Sequence, residues 1–572
     1  MDFRTSIAAL IEEGLTKVFG SAPLDQAAIS LALEVPPDAA LGDYAFPCFK
    51  LAKALRKAPP AIADQLAGGV SAPFLSKVEP VKGYLNFYID RSVYAREVLI
   101  EAEAEGASYG GGVGGAGKTV CIDYSSINIA KRFHIGHLST TMIGNSLYRL
   151  YRFRGYAPVG INHLGDWGTQ FGKMVCAYKK WGDRAAVEAG GVDEMVKLYV
   201  RFDRESENDP LLADEGRAWF KKIEDGDPEA LSIFNWFKEV TLKDAQKVYE
   251  LLGVTFDSYA GESFYNDKMD RVIKELRQKN LLTESDGAWI VNLEEYSMPP
   301  CLILKKDGAT LYATRDLAAA LYRKDTYDFD RSLYVVAYQQ DLHFRQIFKV
   351  LELMGYDWAK RMEHVAFGMV SYEGQTLSTR KGHVVYLEDL LNNSIQKARD
   401  IIEEKSPNLP NKDEVARQVG VGAVVFFDLY NNRIKDIDFW WDRALNFDGE
   451  TGPYVQYTHA RCCSVLRKAE EAGLPPAEPD FHALSDPEAQ EVVRLIEQFP
   501  AVVTAAIERS EPSQVTRFAV DLAQAYNKFY FEHRILDDDP GARSARLLLT
   551  RVTRATIKTA LYLIGIESPE RM

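Results

Sequence analysis

The chain has 572 residues, enough at about 100–200 residues per domain for roughly three to five domains with cores of their own. Its hydrophobic content of 47% and charged content of 26% are those of folded globular protein and exclude disordered and low-complexity classes. With 68 Lys+Arg against 82 Asp+Glu the net charge is −14, which by itself argues against a general binder of nucleic acid or anionic membrane and moves the search for such surfaces to local basic stripes.

The opening MDFRTSIAALIEEGL carries Asp2, Glu12 and Glu13 and reads as an amphipathic helix (Ile7, Leu10, Ile11, Leu15), not as a signal or transit peptide. Residues 46–66 continue with helix-spaced apolar positions. Lys50, Lys53 and Lys57, at i, i+3 and i+7, fall on one face there with Arg56 beside them, as either a solvated helix face or a small basic stripe. A Gly-rich linker, 110–117, follows. Within it GVGGAGKT (112–119) matches the phosphate-loop pattern letter for letter. That motif needs a strand before and a helix after, because the helix N-terminus supplies the amides that hold phosphate; here a helical EAEAEG precedes and a β-like run follows. The segment is therefore a linker, and Lys118 is expected to be dispensable.

From residue 119 the pattern is α/β. A strand over 119–124 gives way to Ser125-Ser126 and a loop to His134. Then comes a helix with apolar residues at Leu138, Met142, Ile143, Leu147, Leu150 and Tyr151, ended by Gly155, and a second strand over 157–162. A β-α-β unit implies a parallel sheet with its ligand at the carboxyl ends of the strands. Residues 176–275 are charged and helix-like and read as an insertion. Strand signals resume at 288–293, 301–304 and 333–338, and beyond about 395 the chain is almost all helical in pattern. The longest apolar stretch, 419–427, stops at Asp428 at about half the length needed to span a bilayer, so no membrane association is expected. Six cysteines (Cys48, Cys121, Cys176, Cys301, Cys462, Cys463) form no C-x-x-C pair; neither zinc nor a disulfide framework is suggested, and a cytoplasmic location is expected.

His134-Ile135-Gly136-His137 stands where the loop meets the helix. Two imidazoles beside free helix-N-terminal amides can bind a triphosphate and donate hydrogen bonds to charge that builds on an α-phosphate during displacement. Gly136 lets a flat base approach the backbone. The alternative is a pair of histidines that caps a core helix.

Around this tetrapeptide lie Ser125-Ser126-Ile127-Asn128-Ile129-Ala130-Lys131 and Asn162-His163-Leu164-Gly165-Asp166-Trp167-Gly168-Thr169-Gln170-Phe171-Gly172. Farther on come Leu311-Tyr312-Ala313-Thr314-Arg315-Asp316, Val336-Ala337-Tyr338-Gln339-Gln340-Asp341-Leu342-His343 and Leu377-Ser378-Thr379-Arg380-Lys381-Gly382. Gly449-Glu450-Thr451-Gly452-Pro453-Tyr454-Val455-Gln456-Tyr457 and the terminal Glu570-Arg571-Met572 complete the series. In these motifs, in this order along the whole chain, the sequence resembles the arginyl-tRNA synthetases, a class I aminoacyl-tRNA synthetase family.

The resemblance implies an α/β fold: a Rossmann-like parallel-sheet catalytic domain over 113–395 (insertion about 176–275), an additional α+β N-terminal tRNA-binding domain over 1–112, a linking helical segment over 396–445 and a helical anticodon-binding domain over 446–572. It implies a reaction in which the carboxylate of L-arginine attacks the α-phosphate of ATP, accompanied by Mg²⁺. The products are arginyl adenylate and pyrophosphate, and arginine is then transferred to the 3′ end of tRNA(Arg). His134, His137, Lys131 and Lys381 would be catalytic, and Gly136, Ser378 and Arg380 would join His134, His137 and Lys381 in binding ATP. The arginine pocket maps onto Asp123 and Asp316 for the guanidinium, assisted by Tyr312, with Asn128 and Gln340 at the α-amino end. Carboxylates suit a planar, always charged fork of donors, and the four-residue spacing of Tyr312 and Asp316 puts both on one helical face.

The chain departs from the family where a mobile K-M-S-K-S loop is usual. It lacks the first lysine and has Thr379 in place of the second, so the phosphate-neutralising role is assigned first to Lys131 and second to Lys381. Ile127 and Arg132 also stand where the family usually has proline. In the C-terminal part, Arg543, Arg546, Arg551, Arg554, Lys558 and Arg571 outnumber Glu567 and Glu570. Arg551, Arg554 and Lys558 lie opposite Leu548, Val552, Ala555 and Leu563, as a polar face or as a phosphate-tracking stripe. Tyr454, Tyr457, Tyr526 and Tyr530 offer faces for unpaired bases or pack as core. By the resemblance Tyr454, Tyr457, Tyr530 and Met572 would contact tRNA, the Lys50–Lys57 stripe would face its outer corner, and the protein would be a monomer.

Overall fold

The computed structural model describes residues 2–306, 310–376 and 384–572. The chain falls into two units, one built from Met1–Tyr109, Cys462–Phe499 and Asp521–Thr556, the other from Gly110–Arg461, Pro500–Val520 and Ile557–Met572.

In the first unit the opening segment forms the helix Phe3–Phe19. Asp2 caps it by accepting the backbone N–H of Thr5 at 3.1 Å, and Gly20, at φ 79°, ends it in the left-handed region. Its face of Ile7, Ile11 and Leu15 is buried with Phe46, Ile62, Leu66 and Phe87. These pack against strands β1 (Tyr44–Pro47), β2 (Leu75–Val81) and β3 (Tyr84–Ile89), an antiparallel sheet in the order β1-β3-β2. The helix expected over 46–66 is not continuous. A 3-10 turn (Cys48–Leu51), the short helix Ala52–Leu55 and the helix Pro59–Ala67 replace it, and Arg56 breaks the run at φ 51°. Proline starts the second helix because its missing N–H costs nothing there. Lys50, Lys53 and Lys57 are exposed but do not share one helix, and Lys57 donates to Gln65 at 2.7 Å.

Long helices, Gly452–Glu471, Pro487–Glu508, Ser513–Glu532 and Pro540–Leu563, make up the C-terminal part as expected. Much of the basic stripe there is engaged within the protein. Arg543 is buried and donates to the Asp537 carbonyl at 2.9 Å, Arg546 pairs with the Asp537 carboxylate at 2.7 Å, and Arg551 pairs with Glu103 at 2.8 Å. Tyr526 is core: fully buried, it donates to the Thr550 hydroxyl at 3.2 Å.

In the second unit β4 (Thr119–Asp123) runs into the loop before the helix Leu138–Phe153, which returns the chain to β5 (Ala157–Ile161), parallel to β4. β4 is buried from Val120 to Asp123, the pattern of a central parallel strand. The helix can lie close over it because Gly144 has no side chain; a Cβ there would sit 2.2 Å from the ring of Tyr124. After β5 come the helices Thr169–Trp181, Arg184–Ser206, Pro210–Glu224, Pro228–Leu252 and Met269–Gln278. The strand signals at 288–293 and 301–304 belong to a separate antiparallel sheet of β6 (Leu282–Ser285), β7 (Ala288–Val291) and β8 (Cys301–Leu304), not to the parallel one.

The helix Tyr312–Tyr327 then leads to β9 (Arg331–Tyr334), parallel to β4 on its other side, with β10 (Met362–His364) outermost. The order β10-β9-β4-β5 reverses direction at β4, so the crevice outside the carboxyl ends of β4 and β9 is the topological switch point. β11 (Val370–Tyr372), β12 (Gln375–Thr376) and β13 (Ile437–Phe439) form a small third sheet.

The helix Leu138–Phe153 is also held by residues from the far end of the chain. Ser146 donates to the Leu563 carbonyl at 2.9 Å, and a Cβ on Gly565 would lie 2.8 Å from Met142. Gln456 donates to the Glu567 carbonyl at 2.8 Å and His459 to that of Pro569 at 3.0 Å. Met572 packs beside Ala398, Ile402 and Val415.

Candidate active site

At the end of β4 the backbone turns sharply: Ser125, Ser126 and Ala130 all hold positive φ (71°, 47° and 62°), where glycine is the usual occupant. Buried hydroxyls brace the turn. Thr140 accepts the Ser125 N–H at 3.0 Å and donates to the Val335 carbonyl at 2.7 Å, and Ser125 and Tyr249 share a 2.8 Å hydrogen bond.

The loop delivers His134 as the cap of a 3-10 turn, Ile135–His137, that runs straight into Leu138–Phe153. Gly136 N–H donates to His134 Nδ1 at 3.1 Å, and His134 N–H donates to His137 Nδ1 at 3.2 Å. His134 Nδ1 is therefore an acceptor and that neutral ring carries its proton on Nε2, whereas His137 Nδ1 faces both the His134 N–H and, at 3.3 Å, the His134 carbonyl. The rings lie 4.0 Å apart, and His137 stacks on Phe133. Burial, with Lys131 adding to it, lowers the pKa of His134; burial and then His134 push that of His137 down to about 3. These are neutral hydrogen-bond donors.

They line a cleft of about 530 Å³ together with Asn128, Lys131, Gln170, Phe171 and Tyr386. Ile135 N–H donates to the Val385 carbonyl at 2.9 Å, Leu387 N–H donates to the Phe133 carbonyl at 2.9 Å, and His134 bridges Tyr386 as in an antiparallel sheet. The stretch that follows Leu377-Ser378-Thr379-Arg380-Lys381-Gly382 is thus fastened to the backbone of the two histidines. Ser378, Arg380 and Lys381 themselves lie outside the described residues. Lys131 is exposed at the cleft. Arg132 is engaged, over the Tyr386 ring at 3.8 Å and 3.2 Å from Asp193.

A second group gathers beside the crevice. Asp123 meets a guanidinium of this same chain: Arg323, 1% exposed, donates to its Oδ2 at 2.7 Å, while Ser126 donates to Oδ1 at 2.9 Å. Arg323 also faces His163 Nδ1 at 3.4 Å. Because arginine has only donors, His163 accepts there and carries its proton on Nε2, which faces Asp316 Oδ1 at 4.0 Å. His343 Nε2 donates to the other oxygen, Asp316 Oδ2, at 2.6 Å. Burial would raise the pKa of Asp316, but His343 above all, then His163 and Arg323, hold it below the usual carboxylate range.

Tyr312 is 67% exposed one turn before Asp316; Asn128 and Gln340 are exposed, and no contact joins either to Asp316 among the described residues. Asp166 is structural: fully buried, it pairs with Lys238 at 2.7 Å and accepts both N–H and hydroxyl of Ser263. Arg323, His163 and His343 have no role assigned from sequence. Arg323 stands seven residues after Asp316 on the same helix, a spacing that shares a face, and both histidines lie inside motifs quoted above. Tyr454 is half-buried, Tyr457 and Tyr530 are exposed, and Arg461 sits over the Tyr457 ring at 4.9 Å.

Comparison with known proteins is consistent along the chain. Residues 5–89 match the family described as arginyl tRNA synthetase N terminal domain, 105–441 the family tRNA synthetases class I (R), catalytic domain, and 455–572 the DALR anticodon binding domain. The chain is 53% identical over 572 residues to an arginine–tRNA ligase of Alkaliphilus metalliredigens and 54% identical to one of Clostridioides difficile, each covering 100% of both chains. Among solved structures, the arginyl-tRNA synthetase of Thermus thermophilus superposes with a TM-score of 0.79 at 25% identity, covering 100% of both chains.

Proposed function

The chain belongs to the arginyl-tRNA synthetase family, and on that premise we infer that it is an arginine–tRNA ligase, which activates L-arginine with ATP and transfers it to tRNA(Arg). The observation that carries the reading is the pairing, in one unit, of two neutral histidines at a helix start with a carboxylate, Asp316, held below its ordinary pKa at the same end of a parallel sheet.

The arginine carboxylate attacks the α-phosphate in line, and pyrophosphate leaves. Such a displacement asks the protein for alignment and charge neutralisation more than covalent help. His134 and His137 donate ring N–H groups to the phosphate oxygens, and Lys131, with Lys381 second, supplies positive charge. Gly136 leaves room for the adenine, and Ser378 and Arg380 complete the nucleotide contacts. Mg²⁺ enters as part of the ATP substrate. Among the described residues, Asp203 lines the cleft and is paired with Lys173 at 2.9 Å.

Asp316 receives the substrate guanidinium with Tyr312 at its side, and Asn128 and Gln340 hold the α-amino end. Asp123 acts from behind, through Arg323. The helical residues 446–572, with Tyr454, Tyr457, Tyr530 and Met572, take the anticodon end of tRNA, and residues 1–112 its outer corner; 113–395 form the catalytic domain and 396–445 the link. We assign the protein to the cytoplasm as a monomer; no described helix is long and apolar enough to cross a membrane. Arginine-dependent exchange between ATP and pyrophosphate, run with tRNA(Arg) present, tests the reading, and absence of exchange in that mixture overturns it.

A further inference from the structure

We propose that His343 and His163 are positioning residues for arginine specificity: His343 holds one oxygen of Asp316 by a hydrogen bond while His163, turned by Arg323, faces the other, and together they present an anionic fork to the substrate guanidinium. The inference rests on the proposed role of Asp316 in meeting that guanidinium.

The geometry is a relay of fixed polarity. Asp123 holds Arg323 in the core at 2.7 Å; Arg323, a donor only, makes His163 Nδ1 an acceptor and so turns its Nε2–H toward Asp316. His343 donates to Oδ2 at 2.6 Å, a charge-assisted distance. An aspartate with one donor could rotate about its terminal torsion, which is broad and shallow. One with a donor at Oδ2 and a polar N–H facing Oδ1 keeps its plane, and a bidentate guanidinium discriminates by plane.

The second effect is on charge. The charged and titratable groups that face Asp316 are His343, His163, Arg323, the Glu262 carboxylate and the Cys301 thiol. The last two, like burial itself, favour the neutral acid; only the first three oppose them. Without the His343 donor the largest opposing contribution is gone and the Asp316 carboxyl moves up from its lowered position, toward the neutral acid. A neutral carboxyl forfeits the ionic part of its attraction for a guanidinium, so arginine binding suffers while ATP binding does not.

The test compares the full-length enzyme with His343→Ala, His343→Gln and Asp316→Asn in arginine-dependent exchange with tRNA present, reading KM for arginine and for ATP separately from pH 6 to 8.5. His343→Ala is expected to raise the KM for arginine about 10- to 100-fold, with the KM for ATP within about threefold. That KM should fall as pH rises and Asp316 regains its charge, whereas the unaltered enzyme stays flat. His343→Gln, which restores an N–H donor at similar reach, should recover most of the loss. Should His343→Ala not fold, His343→Met, of similar bulk and without a donor, is read in its place.

The proposal is overturned if the donor-less variant shifts both KM values alike, if its arginine KM is unchanged or independent of pH, or if His343→Gln does no better. The underlying reading has a separate control. If Asp316→Asn leaves the KM for arginine untouched, Asp316 does not meet the guanidinium; if Asp316→Asn raises it and the His343 variants do not, only the positioning role fails.

Discussion

Ser139 and Asp428 meet where the helix of the two cleft histidines crosses the helix Lys412–Tyr430: the Ser139 hydroxyl donates to Asp428 Oδ1 at 2.5 Å, and Oδ2 has no partner among the described residues. Burial pushes the Asp428 carboxyl up to about 7, with Ser139 pulling the other way. The folded protein thus keeps this proton to about pH 7, whereas an unfolded chain releases it near its ordinary 3.8. More protons are bound in the native state, so the stability this group allows is full below pH 4, declines as pH rises and is lost by pH 7–8. Asp428→Asn should remove the decline, raising stability by about 2–4 kcal/mol at pH 8 and little at pH 4. Thermal unfolding of both proteins across that range measures it; parallel curves would contradict a buried neutral acid.

The mutual capping of His134 and His137 bears on rate. On the proposed role of His134 as a donor to developing phosphate charge, His134→Ala should lower kcat for arginine activation about 10²- to 10³-fold with tRNA affinity nearly unchanged. Because both rings titrate below the ordinary histidine value, neutral imidazole persists as pH falls through 6.5. Any limb in kcat/KM for ATP that these two rings contribute should therefore fall below pH 6.5. A limb at 6.5 that disappears in His134→Ala would mean the protonated ring is the working form.

The Asp123–Arg323 pair predicts a signature of buried charge. Arg323→Met leaves Asp123 buried without its cation and should cost about 3–5 kcal/mol, while Asp123→Asn combined with Arg323→Met should recover much of it. Urea unfolding of the two single variants and the double variant gives the coupling. Additive losses would show that the two residues do not depend on each other.

Lysines near the nucleotide divide cleanly. Lys131 lines the cleft, and Lys131→Ala should reduce kcat for activation about tenfold or more, exceeding the effect of Lys381→Ala. Lys118, in the segment that imitates a phosphate loop, is exposed, followed directly by β4 and not by a helix, so Lys118→Ala should change exchange less than about twofold. Steady-state exchange with each variant decides the order.

The features legible in the amino-acid sequence are local ones. The apolar run of β4, the 3–4 periodicity after His137 and the strand at 157–161 announce a β-α-β unit, because each signal sits within one element. The same periodicity misleads over 46–66, where apolar spacing carries through a 3-10 turn and a left-handed Arg56 that leave no mark in a hydrophobic pattern. The partners of the site residues are hidden for another reason. Arg323 reaches Asp123 across 200 positions and Arg551 reaches Glu103 across 448, and nothing in the spacing of charges says which of many carboxylates a given arginine will find. A stripe that reads as free cations in sequence can thus be largely committed once folded, as Arg543, Arg546 and Arg551 are.

The bonds from Ser146 to Leu563 and from Gln456 and His459 to the Glu567 and Pro569 carbonyls tie early and middle segments of the chain to its last residues. The helix after the two histidines takes part of its wall from Leu563 and Gly565, and the helix Gly452–Glu471 from Glu567 and Pro569, so both are incomplete until translation has passed these residues. A chain that stops short of residue 563 would lack the carbonyl that Ser146 binds and the glycine that lets Met142 approach.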